Sequence, residues 1–476
     1  MEIFLDERGD VERTYFQVPE LRGFESFCVG RPVEEMAVLT NRICGVCPEA
    51  HHLAAAKAAD AVYGVDPPRP AKLLRELLYC AFFVADHTTH FYALGGPDLI
   101  VGPDAPTADR NILGVIRKVG LEFGGRVIET RRGGHRVIEL IGGRRVHPCT
   151  AIPGGLTKGI TEDERAEIEQ IGHSMLDFAG ASLDIFDSIM SDGPTRDLVL
   201  GDLFRHETYY SGLVDEAGRV ALVDGKVRVV APDGEPLGTY APADYRDWIA
   251  EHVEPWTYLK FPYLRRIGWK GFVDGRDSGV YCVGPLGRLN AATGMATPRA
   301  QEAFERFYGT LAPPVDGRRT LVHQRGATHW ARLIELLYAA ERMLELVADP
   351  EITSDNVRTV PTATPTEGVG TVEAPRGTLT HHYWTDERGI VTKVNLIVGT
   401  TNNHAPIAMS IDRAARGLIR GGVVVDNGLL DRIEMAFRAY DPCFACATHA
   451  LPGHMPLQVT IRDARGITTD VLERDD

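Results

Sequence analysis

The stretch RICGVCPEAHH, residues 42–52, carries one Cys-x-x-Cys pair, and DPCFACATH, residues 441–449, carries a second. Nearly the whole chain of 476 residues separates the two pairs. Four thiolates that meet in space can bind a soft metal or a metal pair. A zinc ribbon keeps its pairs about 15–20 residues apart. This spacing instead favours an enzyme that buries a metal centre between its first and last core elements.

Composition narrows the classes of function. The formal net charge of −15 disfavours nucleic acid and anionic membrane surfaces as partners, and 44% hydrophobic residues allow a large core. No apolar run has the length of a membrane span, and no leader follows Met1, which favours a cytoplasmic protein. Eight cysteines are too few for a disulfide scaffold. The four outside the pairs are expected to be small buried hydrophobes: Cys28, Cys80, Cys149 and Cys282.

Helical patterns dominate the chain. Thr161-x-x-Glu164 is a capping box that opens a helix to about Met190. The alanine-rich run 51–64 favours a helix, and apolar residues at helical spacing predict further helices over 70–93 and about 328–348.

Strand patterns occur at the start and in two later segments. The opening MEIFLDERGDVERTYFQV predicts a hairpin, and 213–240 predicts a β-hairpin insert in which 219–223 is one strand. A last β-rich stretch covers 391–401. The predicted fold is α+β and mainly α, with a large helical-bundle core and peripheral β-hairpins, in a single domain over 1–449.

The two cysteine segments resemble the signature motifs of nickel-iron hydrogenase large subunits. In detail, CPEAHHLAAAKA and RAYDPCFACATHALPG are most similar to the cytoplasmic, methyl-viologen-reducing subgroup. The resemblance covers almost the whole chain. It extends in order to Arg22-Gly23-Phe24-Glu25, Gly142-Gly143 through His147-Pro148, Gly284-Pro285-Leu286, Glu373-Ala374-Pro375-Arg376-Gly377 and Thr400-Thr401-Asn402.

This resemblance implies a nickel-iron centre bound by four cysteines. Cys44 and Cys443 match terminal ligands of nickel. Cys47 and Cys446 match thiolates that bridge nickel to an iron carrying carbonyl and cyanide ligands. The same four cysteines could bind a structural zinc ion, but the flanking motifs disfavour that alternative.

The resemblance also implies residues around the centre. Arg376 matches a guanidinium held over the metals, with Pro375 beside it at the cofactor. Asp98 and Asp441 match the carboxylates that fix this arginine. His51 is expected to donate to a cysteine sulfur.

A second metal site is implied as well. Glu25 and His449 match ligands of a redox-inert Mg²⁺ ion, with the backbone carbonyl of Leu396 as a third. Carboxylate and carbonyl oxygens suit this cation, whereas an imidazole is less usual.

The chain departs from the family pattern at both ends. An Arg-x-Glu-Gly-His motif, whose glutamate is the usual first proton relay, is expected before Met1. Its absence favours a truncated or mis-started sequence over a variant with an impaired proton exit. Residues 450–476 extend past the last motif, and we expect a maturation protease to remove them.

The implied function is heterolytic cleavage or formation of dihydrogen, with Cys443 or Arg376 as first proton acceptor. No cysteine set remains for iron–sulfur clusters. The expected partners are therefore an iron–sulfur small subunit near the first motif and His147, and further electron carriers of the heterodisulfide-reductase or nicotinamide/flavin type. The alternative is a catalytically impaired or non-catalytic relative that acts as a scaffold of an electron-transfer complex.

Overall fold

The computed structural model describes residues 1–18, 23–191, 193–421, 423, 427–443 and 457–474. Helices form most of the core, as the sequence predicts. The helices are α1 Phe24–Cys28, α2 Met36–Leu39, α3 Pro48–Val62, α4 Arg69–Thr89, α5 Ile112–Val119, α6 Leu121–Gly142, α7 Glu162–Met190, α8 Pro194–Leu200, α9 Tyr245–Trp248, α10 Pro285–Ala291, α11 Pro298–Leu311, α12 Thr328–Val347, α13 Gly399–Asn402, α14 His404–Leu418 and α15 Asn427–Arg438.

Four long helices make the central bundle. α4 packs against α6 and α12, and α12 packs against α7. α12 is buried on nearly every side, which explains why apolar residues occur all around it. The capping box predicted at Thr161 and Glu164 is present at the start of α7.

Strands form small sheets around this bundle. Their bounds are β1 Glu2–Leu5, β2 Val11–Tyr15, β3 Ala151–Ile152, β4 Gly155–Leu156, β5 Tyr209–Val214, β6 Lys226–Val230, β7 Pro236–Tyr240, β8 Ile249–Val253, β9 Lys260–Leu264, β10 Tyr281–Cys282, β11 Glu367–Ala374, β12 Gly377–Thr385, β13 Val391–Ile397, β14 Leu457–Arg462 and β15 Thr468–Arg474. Two sheets have four strands, in the orders β15-β14-β1-β2 and β10-β5-β6-β7, and one has the three strands β11-β12-β13.

The prediction of a β-rich insert over 213–240 is correct, but the strand predicted over 219–223 is wrong. β5 begins at Tyr209, and residues 219–223 form no strand beyond a single bridge at Val220. The backbone of this run bonds elsewhere instead, because Leu222 O accepts from Glu373 N at 2.8 Å. Its apolar side chains are buried in the core, so local β propensity is overridden by packing.

The C-terminal segment joins the first sheet. β14 pairs with β1 in parallel, and the two strands are aligned with Ile3 opposite Ile461. Ile461 and Val459 are buried. The described part of the predicted extension, 457–474, is therefore packed against the N-terminal hairpin.

The sheet β11-β12-β13 positions the functional residues. α3 lies directly on β11, where a Cβ on Gly370 would come within 2.1 Å of Ala54 O, and one on Gly368 within 2.3 Å of Val62 N. This close approach needs glycine on the strand and explains the small alanines of the helix. None of the described helices combines the length and the hydropathy that a membrane-spanning segment requires.

Candidate metal centre

Sulfur atoms from the two ends of the chain converge. The Sγ atoms of Cys44, Cys47 and Cys443 all lie within 4.8 Å of one another, and the three residues are buried. Cys44 Sγ lies 2.9 Å from Cys47 Sγ and 3.3 Å from Cys443 Sγ. Cys446, the predicted fourth ligand, lies outside the described residues. The three sulfurs form a compact soft donor set, which fits nickel.

The local backbone structure positions the cysteine side chains so that their sulfur atoms lie close together. Cys44 ends a short 3₁₀ turn, and Cys47 is the N-cap of α3, with Pro48 at the first helical position. The backbone amides of Val46 and Cys47 donate to Cys44 Sγ at 3.3 and 3.0 Å. On the other side, Cys443 N donates to Thr400 Oγ1 at 3.2 Å. Amide donors suit a sulfur that carries negative charge.

Arg376 lies at the turn between β11 and β12 and is buried. Its Nη1 donates to Asp86 Oδ2 at 3.0 Å, and its Nη2 lies 2.9 Å from Asp441 Oδ2. Burial alone would lower the pKa of Arg376, but Asp441, Asp86 and the cysteines raise it well above its ordinary value. Burial raises the pKa of both carboxyls, and Arg376 offsets part of that rise. The guanidinium is therefore held charged beside the sulfur cluster.

The prediction that Asp98 fixes Arg376 is wrong. Asp98 pairs with Arg438 at 2.8 Å and Arg110 at 3.4 Å, while Asp86 contacts Arg376. Asp98 belongs to a π-helical segment, Pro97–Val101, beyond the end of α4. Its carboxylate instead anchors the last turn of α15, which leads to the second cysteine segment.

A second buried arginine, Arg288, stabilises the turn between β11 and β12. Arg288 of α10 donates to Glu335, to Glu373, and to the carbonyl oxygens of Ala374 and Pro375. Glu373 also accepts from Leu213 N and Thr378 Oγ1, both at 2.8 Å. These bonds fix the backbone of the Glu-Ala-Pro-Arg segment. The structure places Pro375 in this turn, and its predicted contact with a cofactor stays a prediction.

His51 is buried on α3, and its Nδ1 lies 3.1 Å from His381 Nε2. The other nitrogen of His381 lies 2.6 Å from Tyr383 Oη. His51 is thus part of a buried polar chain. Its predicted bond to a cysteine sulfur stays a prediction.

Glu25, a predicted magnesium ligand, contacts Leu396, whose predicted role through its carbonyl stays a prediction. Glu25 Oε1 accepts from the backbone amide of Leu396 at 2.9 Å. Glu251 is a further carboxyl here. Burial raises its pKa, and Glu25 contributes to that rise. His449 lies outside the described residues.

Comparisons with known proteins agree with this geometry. The family model for nickel-dependent hydrogenases matches residues 22–112 and 277–449. The chain is 46% identical, over 98% of its length and 94% of the relative, to an F420-non-reducing hydrogenase iron-sulfur subunit of Archaeoglobus profundus. It is 37% identical, over 99% of its length and 96% of the relative, to the beta subunit of the NAD-reducing hydrogenase HoxS of Cupriavidus necator.

Among solved structures, an NAD⁺-reducing NiFe hydrogenase in the H2-reduced state matches with a TM-score of 0.86 and 36% identity, covering 94% of this chain and 95% of that chain. The chain therefore belongs to the nickel-dependent hydrogenase family, enzymes that act on dihydrogen.

Sequence reasoning missed Asp86, although a signal was present. Leu74, Leu78, Phe82, Asp86 and His90 recur every fourth residue and are all buried. Side chains four apart share one face of a helix. A carboxylate and an imidazole on the apolar ridge of α4 were therefore candidates for function.

Proposed function

We propose that this chain is the catalytic large subunit of a nickel-iron hydrogenase that cleaves dihydrogen heterolytically or forms it. The convergence of Cys44, Cys47 and Cys443 beside a charged, buried Arg376 carries the proposal. Cys44 and Cys443 would hold the nickel, and Cys47 and Cys446 would hold both the nickel and the iron. We also propose that the iron carries carbonyl and cyanide ligands.

When bound, the metal pair supplies Lewis acidity toward dihydrogen and accepts its electrons. The protein's own residues supply proton handling and electrostatics. Cys443 Sγ is the proposed first proton acceptor, because it lies in the cluster near Arg376. Arg376 has a high pKa, so it acts mainly as a fixed positive charge that orients substrate and stabilises developing negative charge.

Electrons require a partner. Among the described residues, the only group of metal-ligating side chains found is the cysteine cluster itself. We therefore propose an iron–sulfur small subunit, docked at the first cysteine segment. Exposed apolar side chains occur close to this segment in the chain, namely Phe27, Val29, Val38 and Val46, and Val146 is a further one in the 143–150 loop. His147 Nδ1 lies 3.1 Å from Asn41 O and so joins the 143–150 loop to the same face.

The other predicted partners remain proposals. We propose further electron carriers of the heterodisulfide-reductase or nicotinamide/flavin type, and the similarity to a subunit of an NAD-reducing hydrogenase supports the nicotinamide type. We propose a cytoplasmic location by resemblance to the subgroup. We propose Mg²⁺ at Glu25, the Leu396 carbonyl and His449, because oxygen ligands suit this ion.

We also propose that a maturation protease cleaves after His449. The support is the family resemblance of the last motif, followed by a segment of 27 residues, 450–476. The intact mass of the chain in active complex tests this. A mass that still includes residues 450–476 would contradict it.

The main experiment measures metals and activity in the complex purified from its host. We expect nickel, iron and magnesium in the complex and dihydrogen-dependent reduction of viologen dye. Cys44→Ser should remove nickel and activity. Cys80→Ala is the control and should keep both, because Cys80 is buried in α4 and lies outside the cluster. Zinc as the only metal, with no activity in the unaltered complex, would reject the enzyme and favour a scaffold.

A further inference from the structure

The second cysteine segment reaches the site through a turn with unusual backbone geometry. Asp441 has φ of 54°, in the left-handed region that residues other than glycine seldom adopt. The conformation persists only where surrounding contacts determine it. The contacts that hold this turn include the pairing of Arg376 with the Asp441 carboxylate and the hydrogen bond that Arg332 Nη2 donates to Ala439 O at 3.0 Å.

His90 lies on the other side of the Asp441 carboxylate. It is buried in the π-helical extension of α4, His90–Gly95, and its Nδ1 lies 2.9 Å from Asp441 Oδ1. Neither ring nitrogen forms a well-aligned hydrogen bond with any of the described residues. A buried polar group left in this state costs free energy, and such groups need a reason.

The surroundings of His90 decide which nitrogen carries the proton. The rings of His90 and His329 are stacked, with 5.7 Å between their centroids and an interplanar angle of 9°. A Cβ on Gly95 would come within 3.0 Å of His90 Nε2 and 2.7 Å of His329 Cε1, so Nε2 faces a glycine backbone. Nδ1 faces a carboxylate. The neutral ring therefore carries its proton on Nδ1.

Burial and, after it, the neighbouring cations favour the neutral form of the His90 ring. Burial lowers the pKa of His90 well below its ordinary value. The cations Arg332, Arg376 and Arg438 lower it further, together with His87. His329 is held in the stack by Arg332, whose Nη1 lies 3.2 Å from His329 Nδ1.

We propose that His90 is a positioning residue for the hydrogenase reaction: its Nδ1–H orients the Asp441 carboxylate, which in turn orients the Arg376 guanidinium. Gly95 makes this possible by leaving room for the two stacked imidazoles. The inference rests on the proposed function of Arg376. It adds a residue outside the motifs that carry the family resemblance.

The test replaces His90 with asparagine or glutamine, because the side-chain amide of each places an N–H near a different ring nitrogen of histidine. In the full complex, His90→Asn places an N–H near Nδ1, and His90→Gln places one near Nε2. We expect His90→Asn to keep kcat within about threefold, while His90→Gln and His90→Leu lose about tenfold to hundredfold at unchanged nickel content. His173→Asn, on the exposed face of α7, is the control and should match the unaltered complex.

A structural readout separates this inference from the proposed function. Crystal structures of the metal-free variants should keep the Arg376 Nη2–Asp441 Oδ2 contact in His90→Asn and lengthen it beyond about 3.5 Å in His90→Gln and His90→Leu. Equal activity of all three variants, rescue by glutamine rather than asparagine, or losses that follow nickel content would overturn the role of His90. An unaltered complex without nickel or activity would instead reject the proposed function.

Discussion

Two buried arginines meet at the β11–β12 turn, Arg376 within it and Arg288 against its backbone, and their hydrogen bonding differs. Arg288 uses Nε, Nη1 and Nη2 in five bonds, to two carboxylates and two backbone carbonyls. Arg376 pairs with Asp86 and Asp441 through its Nη atoms, while its Nε has no partner among the described residues. A saturated guanidinium fixes structure, whereas one with a spare donor beside a reactive cluster can act on substrate.

The carboxylates that pair with Arg288 and with Arg376 also differ in how fully they are hydrogen-bonded. Glu335 and Glu373 are enclosed with Arg288 and have no exposed surface. Asp86 Oδ1 is buried without a partner within the described part of the chain. Unsatisfied atoms therefore gather around Arg376, which is where a metal pair and dihydrogen are proposed to bind.

The largest effect on stability should come from replacing Arg288, the arginine whose nitrogens are all hydrogen-bonded. Arg288→Met leaves Glu335 and Glu373 buried without their cation, and we expect the free energy of unfolding to fall by about 3–5 kcal/mol. Denaturant unfolding of the purified chain measures this. A loss below about 1 kcal/mol would show that the cluster contributes little to stability.

Changing the arginine with the spare donor should affect activity instead. Arg376→Lys keeps one positive charge but cannot pair with both Asp86 and Asp441 in the same fork geometry. We expect kcat for dihydrogen-dependent viologen reduction to fall about 100-fold to 1,000-fold, with nickel content unchanged. Retained activity, or nickel loss in proportion to activity, would remove the distinction between the two arginines.

The correction from Asp98 to Asp86 can be tested by a matched pair of variants. Asp86→Asn removes a charged partner of Arg376, and kcat should fall about tenfold to hundredfold. Asp98→Asn should keep kcat and lower thermal stability, since Asp98 pairs with Arg438 and Arg110. The opposite order of kcat values would restore the original prediction.

The smallest effect concerns a histidine whose two nitrogens are both satisfied. His52 Nδ1 lies 2.8 Å from Ala37 O, and Ala151 N donates to Nε2 at 3.1 Å. Burial lowers the pKa of His52 from 6.5 to about 4. Below pH 6.5 the unfolded chain therefore binds a proton that the folded chain refuses, and stability falls as the pH falls toward 4.

We expect His52→Gln to flatten this slope by up to about 1.4 kcal/mol per pH unit. Denaturant unfolding at about pH 6 and about pH 5 gives the slope of unfolding free energy between these two pH values. His173→Asn is the control. Identical slopes in the His52→Gln variant and the unaltered chain would show that other groups cause the acid sensitivity.

Much of the fold follows from the sequence, because helical periodicity is local. The capping box at Thr161, the alanine-rich α3 and the apolar α12 are all predicted correctly. The run 219–223 is not, because its backbone bonds to the distant Glu373 segment. Long-range hydrogen bonds of this kind leave no local pattern.

The site was predicted by motif rather than by geometry. The structure brings Cys44, Cys47 and Cys443 together and pairs Arg376 with Asp441, while their predicted roles toward the metals stay predictions. Asp86 was missed because Asp98 lies in a more conspicuous Gly-Gly-Pro-Asp segment. The π-helical turns after α4 shift the residues that follow out of simple helical spacing, so only coordinates distinguish the two.

Nickel-edge X-ray absorption on the purified complex tests the central claim most directly. We predict a first coordination shell of sulfur atoms, from the cysteines at 44, 47, 443 and 446, and loss of the nickel signal in Cys44→Ser. A nickel shell made of nitrogen and oxygen, or a complex that contains zinc in place of nickel, would contradict it.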